Sequence, residues 1–292
     1  MRRLACLLSL VAAAELHAAG PDPVELLSTV LQKAAERVER YFLRAQSIVC
    51  LEVVHLQPMT SGLTTDGFGR TVESELRLFW EPGADGAAST EAQMMRRLLK
   101  VNGQEPRKND WNNCTSPEQE AHEPQALSLL LPTQRADYTF TLVGKANIDR
   151  RSAVMLDYRL TRAVSVESSL VDGREDCISF NVEGGMRGRI WIDADTYDVL
   201  RLDQRLGGLV EIPLPKAATK RSSSPSSWTM ERWDTSIRFK PVAFENPPET
   251  LVLPESQTSF RITRGSGSPR LRTTTQYKNY QRFLTSGRIV GN

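Results

Sequence analysis

The sequence predicts an α+β fold in which one long N-terminal helix precedes an antiparallel sheet of about ten strands. Apolar residues recur at three- and four-residue steps from Val24 to Ala45, which is the period of a helix. Most later segments alternate apolar and polar residues, which is the period of a strand. No comparable helical pattern separates these segments, and this excludes the crossover helices of a parallel βαβ fold.

The helix is predicted to begin at Pro21–Pro23 and to extend over about six turns. Charged residues fill the positions between its apolar ones, so it has one apolar stripe. Such a stripe is stable only when it is buried against another element. Because everything after it has a strand-like pattern, we expect the stripe to lie on the sheet.

The first strands are predicted at residues 47–57, 71–80 and 94–102. Residues 105–124 are polar and contain three prolines, which predicts an irregular loop, and residues 125–131 suggest a short helical turn. Two alternating runs then follow, at 137–144 and 152–160. The short polar link between them predicts an antiparallel pair.

The segment Gly188–Asp203 gives the clearest strand pattern in the chain. Two isoleucines alternate with polar residues and Trp191, a polar turn follows over residues 194–198, and two leucines resume the alternation. The turn lacks the Asn-Gly of a two-residue hairpin, so we predict a longer loop. Further strands are predicted after a polar, low-complexity loop over residues 213–227.

Asp193, Asp195 and Asp198 in the hairpin turn form a run that suggests a calcium site. The run lacks the turn glycine and the late glutamate of a calcium-binding loop, so an aspartate-stabilised turn is the better interpretation. The two histidines after the leader, His55 and His122, have no zinc-binding spacing, and the common nucleotide-binding and hydrolase motifs are absent from the sequence. We predict no enzymatic activity, no catalytic residue, no metal and no cofactor.

The N-terminus has the pattern of an export signal. Arg2 and Arg3 precede an apolar run over residues 4–14, and Ala18 and Ala19 offer a cleavage point. We predict a signal peptide at 1–19, a single domain at 20–292, and a periplasmic or secreted monomer. Removing Arg2, Arg3 and Glu15 leaves 35 basic and 34 acidic residues, a net charge of +1, and we expect no nucleic-acid partner.

The chain after Glu255 contains no acidic residue and seven basic ones. A docking surface for an anionic partner, or transient contact with a membrane surface, is one interpretation. Basic residues that guard solvated strand edges are the other. The seven are Arg261, Arg264, Arg270, Arg272, Lys278, Arg282 and Arg288.

Three cysteines remain after the leader is removed, and an oxidising compartment favours one disulfide among them. Cys50 lies in an apolar run and is expected to be buried and unpaired, although a weak nucleophile pair with a histidine stays open. We therefore predict a bridge between Cys114 and Cys177. A loop of that length contributes about 4 kcal/mol in the chain-entropy model.

Aromatic residues are the best candidates for ligand contacts. If the sheet curls over the helix, the helix cannot cover every apolar strand position, and the remainder would line a hydrophobic groove. The alternative is that these residues form the core. The predicted ligand-binding residues are Phe79, Trp80, Tyr138, Phe140, Trp191, Trp228 and Trp233.

Three segments carry a resemblance to a known superfamily. They are VELLSTVLQKAAERVERYFLRAQSIVCLEVV near the start, GRIWIDADTYDVLRLD in the centre and TTTQYKNYQRF near the end. Together they resemble the LolA-like periplasmic carriers of lipoproteins and lipids. The resemblance implies a half-barrel sheet wrapped around the helix, with a concave apolar face that holds acyl chains. The loops at 105–124 and 213–227 and the predicted disulfide depart from that pattern.

These observations predict an exported, non-enzymatic protein that binds a lipid or a lipidated protein. Two alternatives stay open at this point. The first is a cell-envelope scaffold that docks a partner through strand edges and its basic C-terminal region. The second is a hydrolase with an unrecognised pair of carboxylates.

Overall fold

The computed structural model describes residues 23–44, 48–80, 92–108, 110, 124–171, 174–219, 225–245 and 248–282. Within these ranges, the side chains of residues 78–80, 92–94, 124–125 and 174–176 are not described. The predicted signal peptide, Cys114 and His122 lie outside the described residues, and so does most of the loop predicted at 105–124.

The predicted N-terminal helix is confirmed as α1, Pro23–Arg44. Pro23 stands at its first position, where a missing N–H costs nothing. Glu25 lies in the first turn and Arg44 in the last, which suits the helix dipole at both ends. Its buried residues follow the predicted stripe: Val30, Leu31, Ala34, Ala35, Val38, Tyr41 and Phe42.

The helix is followed by thirteen strands in the described part of the chain, three more than the approximate number predicted. They are β1 (Ile48–Pro58), β2 (Arg70–Trp80), β3 (Ala92–Val101), β4 (Tyr138–Ile148), β5 (Arg151–Leu160), β6 (Ser165–Val171), β7 (Arg174–Glu183), β8 (Met186–Asp193), β9 (Val199–Leu206), β10 (Val210–Pro213), β11 (Ser227–Glu245), β12 (Pro248–Arg264) and β13 (Arg270–Arg282). A 3₁₀ helix, Pro124–Leu130, and a short α2, Pro132–Arg135, lie before β4.

Eleven strands form one antiparallel sheet in the order β3-β2-β1-β13-β12-β11-β9-β8-β5-β4. The eleventh, β10, pairs with β11 beside β9, because β11 is long enough to hold both partners along one edge. The end strands β3 and β4 do not pair with each other in the described residues, so the sheet is open. β6 and β7 form a separate two-stranded sheet.

The predicted hairpin is confirmed as β8 and β9, joined by residues 194–198. Ile190 pairs with Leu202, and both side chains are completely buried. The Asp193 carboxylate accepts bonds from the backbone N–H groups of Asp195 and Thr196, at 3.0 and 2.7 Å. This is the aspartate-stabilised turn that the sequence favoured over a calcium loop.

One face of the sheet, the helix-side face, shares a single hydrophobic core with α1. Val30, Val38 and Phe42 of the helix belong to the same cluster as buried residues of β1, β5, β8, β9, β11, β12 and β13. The 3₁₀ helix adds Leu127, Leu129 and Leu130 to this cluster. The helix and the 3₁₀ segment therefore cover apolar strand positions that water would otherwise reach.

A second, smaller cluster lies beside β10. Val210, Ile212 and Met230 form its buried centre, and Phe180 and Val182 of β7 pack against it. The two-stranded sheet is therefore attached through apolar contacts to the main sheet.

Cys50 is buried on β1, as predicted, and Cys177 is buried on β7. The bridge from Cys177 to Cys114 stays a prediction, because Cys114 is outside the described residues. Among the residues that the structure describes, we find no helix with the length and apolar character that a membrane span requires.

Candidate functional site

The predicted ligand-binding aromatic residues lie in separate parts of the molecule. Tyr138 and Phe140 are on the edge strand β4, half-buried against the main core, with ring centroids 6.2 Å apart. Trp228 and Trp233 pack against the small cluster beside β10. Phe79 and Trp80 lie on β2, but their side chains are outside the described part. Ligand contact by any of these aromatic residues stays a prediction.

Trp191 lies on the face of the sheet away from α1, which we name the outer face. It alternates with Ile190 and Ile192, whose side chains are in the core under the helix. The guanidinium of Arg201 lies over its ring at 4.7 Å from the centroid, and that of Arg189 at 6.0 Å. Trp191 is thus surrounded by charge and does not close the helix-side core.

A crevice of about 550 Å³ lies between α1 and the sheet, next to the C-terminal half of the helix. Its apolar walls include Val38 and Tyr41 of α1, Leu127 of the 3₁₀ helix and Leu251 of β12. All four also belong to the main core. The crevice therefore borders the apolar core at the surface of the molecule, and its volume lies within the range of ligand pockets.

Four arginines stand around this crevice, three of them on the helix. Arg37 donates from Nε to the carbonyl oxygen of Thr196 at 2.7 Å, which ties the helix to the β8–β9 turn. Arg44 pairs with Glu249 of β12 at 2.6 Å. Arg40, between them, is exposed, and among the described residues it donates to a carbonyl of its own helix. The fourth is Arg151, which pairs with Asp193 at 2.8 Å.

The hairpin turn holds one side of the crevice in place. The Thr196 hydroxyl lies within hydrogen-bond distance of the carboxylates of Asp193 and Asp198. The backbone carbonyl of Thr196 accepts a hydrogen bond from Arg37. Lys33 lies 4.6 Å from the centroid of the Tyr197 ring. Asp193 is only 3% exposed, so the turn that contacts α1 is anchored by a buried, hydrogen-bonded carboxylate.

Glu249 holds the opposite side of the crevice. Its carboxylate accepts from Arg44 and from Arg282 of β13, at 2.6 and 2.5 Å. Burial by itself would raise the pKa of Glu249, but these two guanidinium bonds outweigh it and hold the pKa below its ordinary value. The carboxylate thus stays ionised between two cations.

The crevice residues were not among the sequence-based candidates. The helix arginines at 37, 40 and 44 recur at three- and four-residue steps, which places them on one helix face, and this was the available signal. Their proximity to Glu249 was not predictable in the same way, since Arg44 and Glu249 are 205 positions apart.

No family model matches the chain, and no curated protein matches it. Among solved structures, it is similar to a putative outer membrane lipoprotein-sorting protein domain from Vibrio parahaemolyticus, with 11% identity, a TM-score of 0.37, and coverage of 89% of this chain and 94% of that chain. A DUF1329 family protein from Desulfovibrio piger is similar with 12% identity, a TM-score of 0.39, and coverage of 90% and 95%.

A LolA superfamily protein from Nitrosomonas europaea is also similar, with 10% identity, a TM-score of 0.31, and coverage of 90% of this chain and 97% of that chain. The solved structures similar to this chain thus include one from the superfamily that the three sequence segments resemble.

Proposed function

We propose that the protein is an exported, non-enzymatic carrier that binds an amphipathic lipid in the crevice between α1 and the sheet. The acyl chain enters between the helix and the strands, and an anionic head group stays among the arginines at the surface. The observation that carries this proposal is the continuity of the crevice walls with the main core. A lipidated protein segment has the same chemistry and is the other form of this ligand.

The apolar walls supply the binding free energy. Each CH₂ group that leaves water contributes about 0.8 kcal/mol. Because the core beneath α1 is packed, with Val30 and Phe42 each 1% exposed, a long chain needs the helix to move away from the sheet. The Arg37–Thr196 and Arg44–Glu249 contacts resist that movement at the two sides of the crevice.

The arginine rim favours an anionic head group. Arg37, Arg44 and Arg151 already have partners, whereas Arg40 points its guanidinium at no carboxylate in the described residues. A fatty-acid carboxylate or a lipid phosphate would accept charge-assisted hydrogen bonds there.

The two alternatives fit the geometry less well. A general acid needs a raised pKa, and the pKa of Glu249 in the crevice is lowered. The basic C-terminal region is partly neutralised, because Arg264 pairs with Glu231 and Arg282 with Glu249. These contacts leave less free charge for docking a partner there.

Native mass spectrometry and lipid extraction of the mature chain test the proposal. We expect one acyl-chain lipid per chain, either copurified or taken up from added oleate. Val252→Trp fills the crevice wall and should weaken oleate binding by roughly tenfold or more. Leu209→Trp, at a position that is 75% exposed and outside the crevice, is the matched control and should leave binding unchanged.

The head-group contact has its own comparison. Arg40→Gln should weaken binding of oleate and leave binding of the corresponding fatty alcohol unchanged, since only the acid carries a charge.

Repeated absence of bound lipid, together with no saturable uptake of oleate, would contradict the carrier function.

A further inference from the structure

The outer face of the sheet carries a second site that the proposed carrier function does not use. A trough of about 1290 Å³ crosses this face from β4 to β13. Its lining residues include six arginines but only three carboxylates. The trough is separated from the crevice by the sheet itself, because its residues alternate with those of the helix-side core.

Three of the trough arginines form a row across adjacent strands. Arg159 of β5 lies directly opposite Arg187 of β8, which lies directly opposite Arg205 of β9. Directly opposite residues have Cβ atoms about 5 Å apart, so the row spans about 10 Å. Like charges in such positions destabilise a sheet. The row therefore lowers the stability of the sheet, and folding alone does not explain its presence.

The neighbouring row on the same face shows how the charges are balanced elsewhere. Asp157, Arg189 and Asp203 alternate in sign across the same three strands. Arg189 donates to Asp157 at 2.5 and 3.0 Å, and Arg201 donates to Asp203 with two bonds of 2.7 Å. Both contacts are bidentate, which is the strongest arrangement for such a pair.

The arginine row has no such partners. Arg159, Arg187 and Arg205 are exposed, and no carboxylate of the described residues lies within ion-pair distance of any of them. Asp234 lies directly opposite Arg205, but its carboxylate bonds to Arg232 at 2.5 Å instead. The row thus presents three guanidinium groups without an internal counter-charge.

We infer that this row binds a ligand that carries two or more phosphate groups a few ångströms apart. The planar guanidinium donates two parallel bonds to a phosphate, and three of them within about 10 Å match a compact ligand with several negative charges. A carboxylate would supply one charge where each phosphate supplies more. Free oligophosphates and phosphate-bearing lipid head groups share this chemistry.

Calorimetric titration of the mature chain with tripolyphosphate tests the site. We expect one saturable binding event in the unchanged protein. The row variant, Arg159→Gln with Arg187→Gln and Arg205→Gln, should weaken it by roughly tenfold or more. The control variant, Lys100→Gln with Arg107→Gln and Lys278→Gln, removes the same charge from exposed positions outside the trough and should stay within about twofold of the unchanged protein.

Thermal unfolding tests whether the row variant is folded. Its midpoint should equal or exceed that of the unchanged protein, because neutralising the row removes like-charge repulsion. Cosedimentation with vesicles of phosphatidylinositol bisphosphate in phosphatidylcholine, a lipid whose inositol ring carries two phosphates, separates the two sources of phosphate. Vesicle binding that tripolyphosphate displaces and the row variant loses assigns a lipid head group, and binding of tripolyphosphate alone assigns a free ligand. No saturable binding of either, or equal weakening in both variants, overturns the site.

Discussion

At the scale of single residues, Gly188 connects the central hairpin to its neighbours. A Cβ at this position would lie 1.9 Å from the carbonyl oxygen of Asp203 and 2.7 Å from the hydroxyl of Tyr158. The Tyr158 ring crosses the strand here, and its hydroxyl donates to the same carbonyl at 3.3 Å. The glycine that opens the central segment GRIWIDADTYDVLRLD is therefore required by close packing of β5, β8 and β9.

Replacing Gly188 with alanine should lower the free energy of unfolding by about 2 kcal/mol or more, since a backbone oxygen cannot move aside as a side chain can. Gly208→Ala is the control, because no atom lies within 4 Å of its added Cβ, and its effect should be within about 0.5 kcal/mol. Urea unfolding of both variants measures this. Equal effects at the two positions would show that the close approach at Gly188 is not limiting.

Trp191 shows what strand alternation predicts and where it stops. The pattern places its side chain on the other face of the sheet from Ile190 and Ile192, and the structure confirms that arrangement. The sequence does not tell which of the two faces the helix covers. Nor does it reveal that Arg201 lies over the ring, because that contact depends on the register between β8 and β9.

At the scale of elements, α1 holds the core together on the helix-side face. Phe42 is 1% exposed and contacts Tyr41 edge-on, with ring centroids 5.3 Å apart. Leu43, the next residue, is 45% exposed. Two adjacent apolar residues of the same helix thus lie in opposite environments, one in the core and one in solvent.

Phe42→Ala should lower the free energy of unfolding by about 3–5 kcal/mol, because it leaves a cavity between the helix and the strands. Leu43→Ala should change it by no more than about 0.5 kcal/mol. Chemical denaturation monitored by tryptophan fluorescence compares the two. A small loss for Phe42→Ala would mean that α1 is only loosely attached to the sheet.

The elements themselves were largely predictable, whereas the sites were not. The period of the apolar residues identified α1 and the β8–β9 hairpin closely, since both are local patterns. The order of the strands brings residues from distant segments together, as when β1 pairs with β13. The crevice depends on contacts between such distant segments, and the arginine row depends on the β5–β8 pairing and on the register of the β8–β9 hairpin, so the sequence shows their residues without showing that they meet.

At the scale of the whole molecule, the carboxylates of Asp193 and Glu249 link stability to pH. Burial alone would raise the pKa of Asp193, but the N–H donors of Thr196 and Asp195 and the charge of Arg151 hold that pKa below its ordinary value. The pKa of Glu249 is also lowered, as described above. Both groups bind fewer protons when folded than when unfolded, so the stability they contribute is complete above their ordinary pKa values, 3.8 and 4.5.

That contribution is lost as the pH falls through these values towards the lower pKa values of the folded state. We expect the free energy of unfolding to decrease between about pH 5 and pH 3. Asp193→Asn should be less stable than the unchanged protein near neutral pH and should lose less over the acidic range. Urea unfolding at a series of pH values measures both slopes, and identical slopes would contradict the role of Asp193.

The proposed carrier site consists of the helix, the crevice and the arginines around it, and labelling with a photoactivatable fatty acid tests that proposal most directly. After irradiation and proteolysis, the account predicts adducts on residues 37–44 of α1 and 249–252 of β12, which excess oleate prevents. Adducts confined to the outer face around Trp191, or labelling that excess oleate does not reduce, would contradict it.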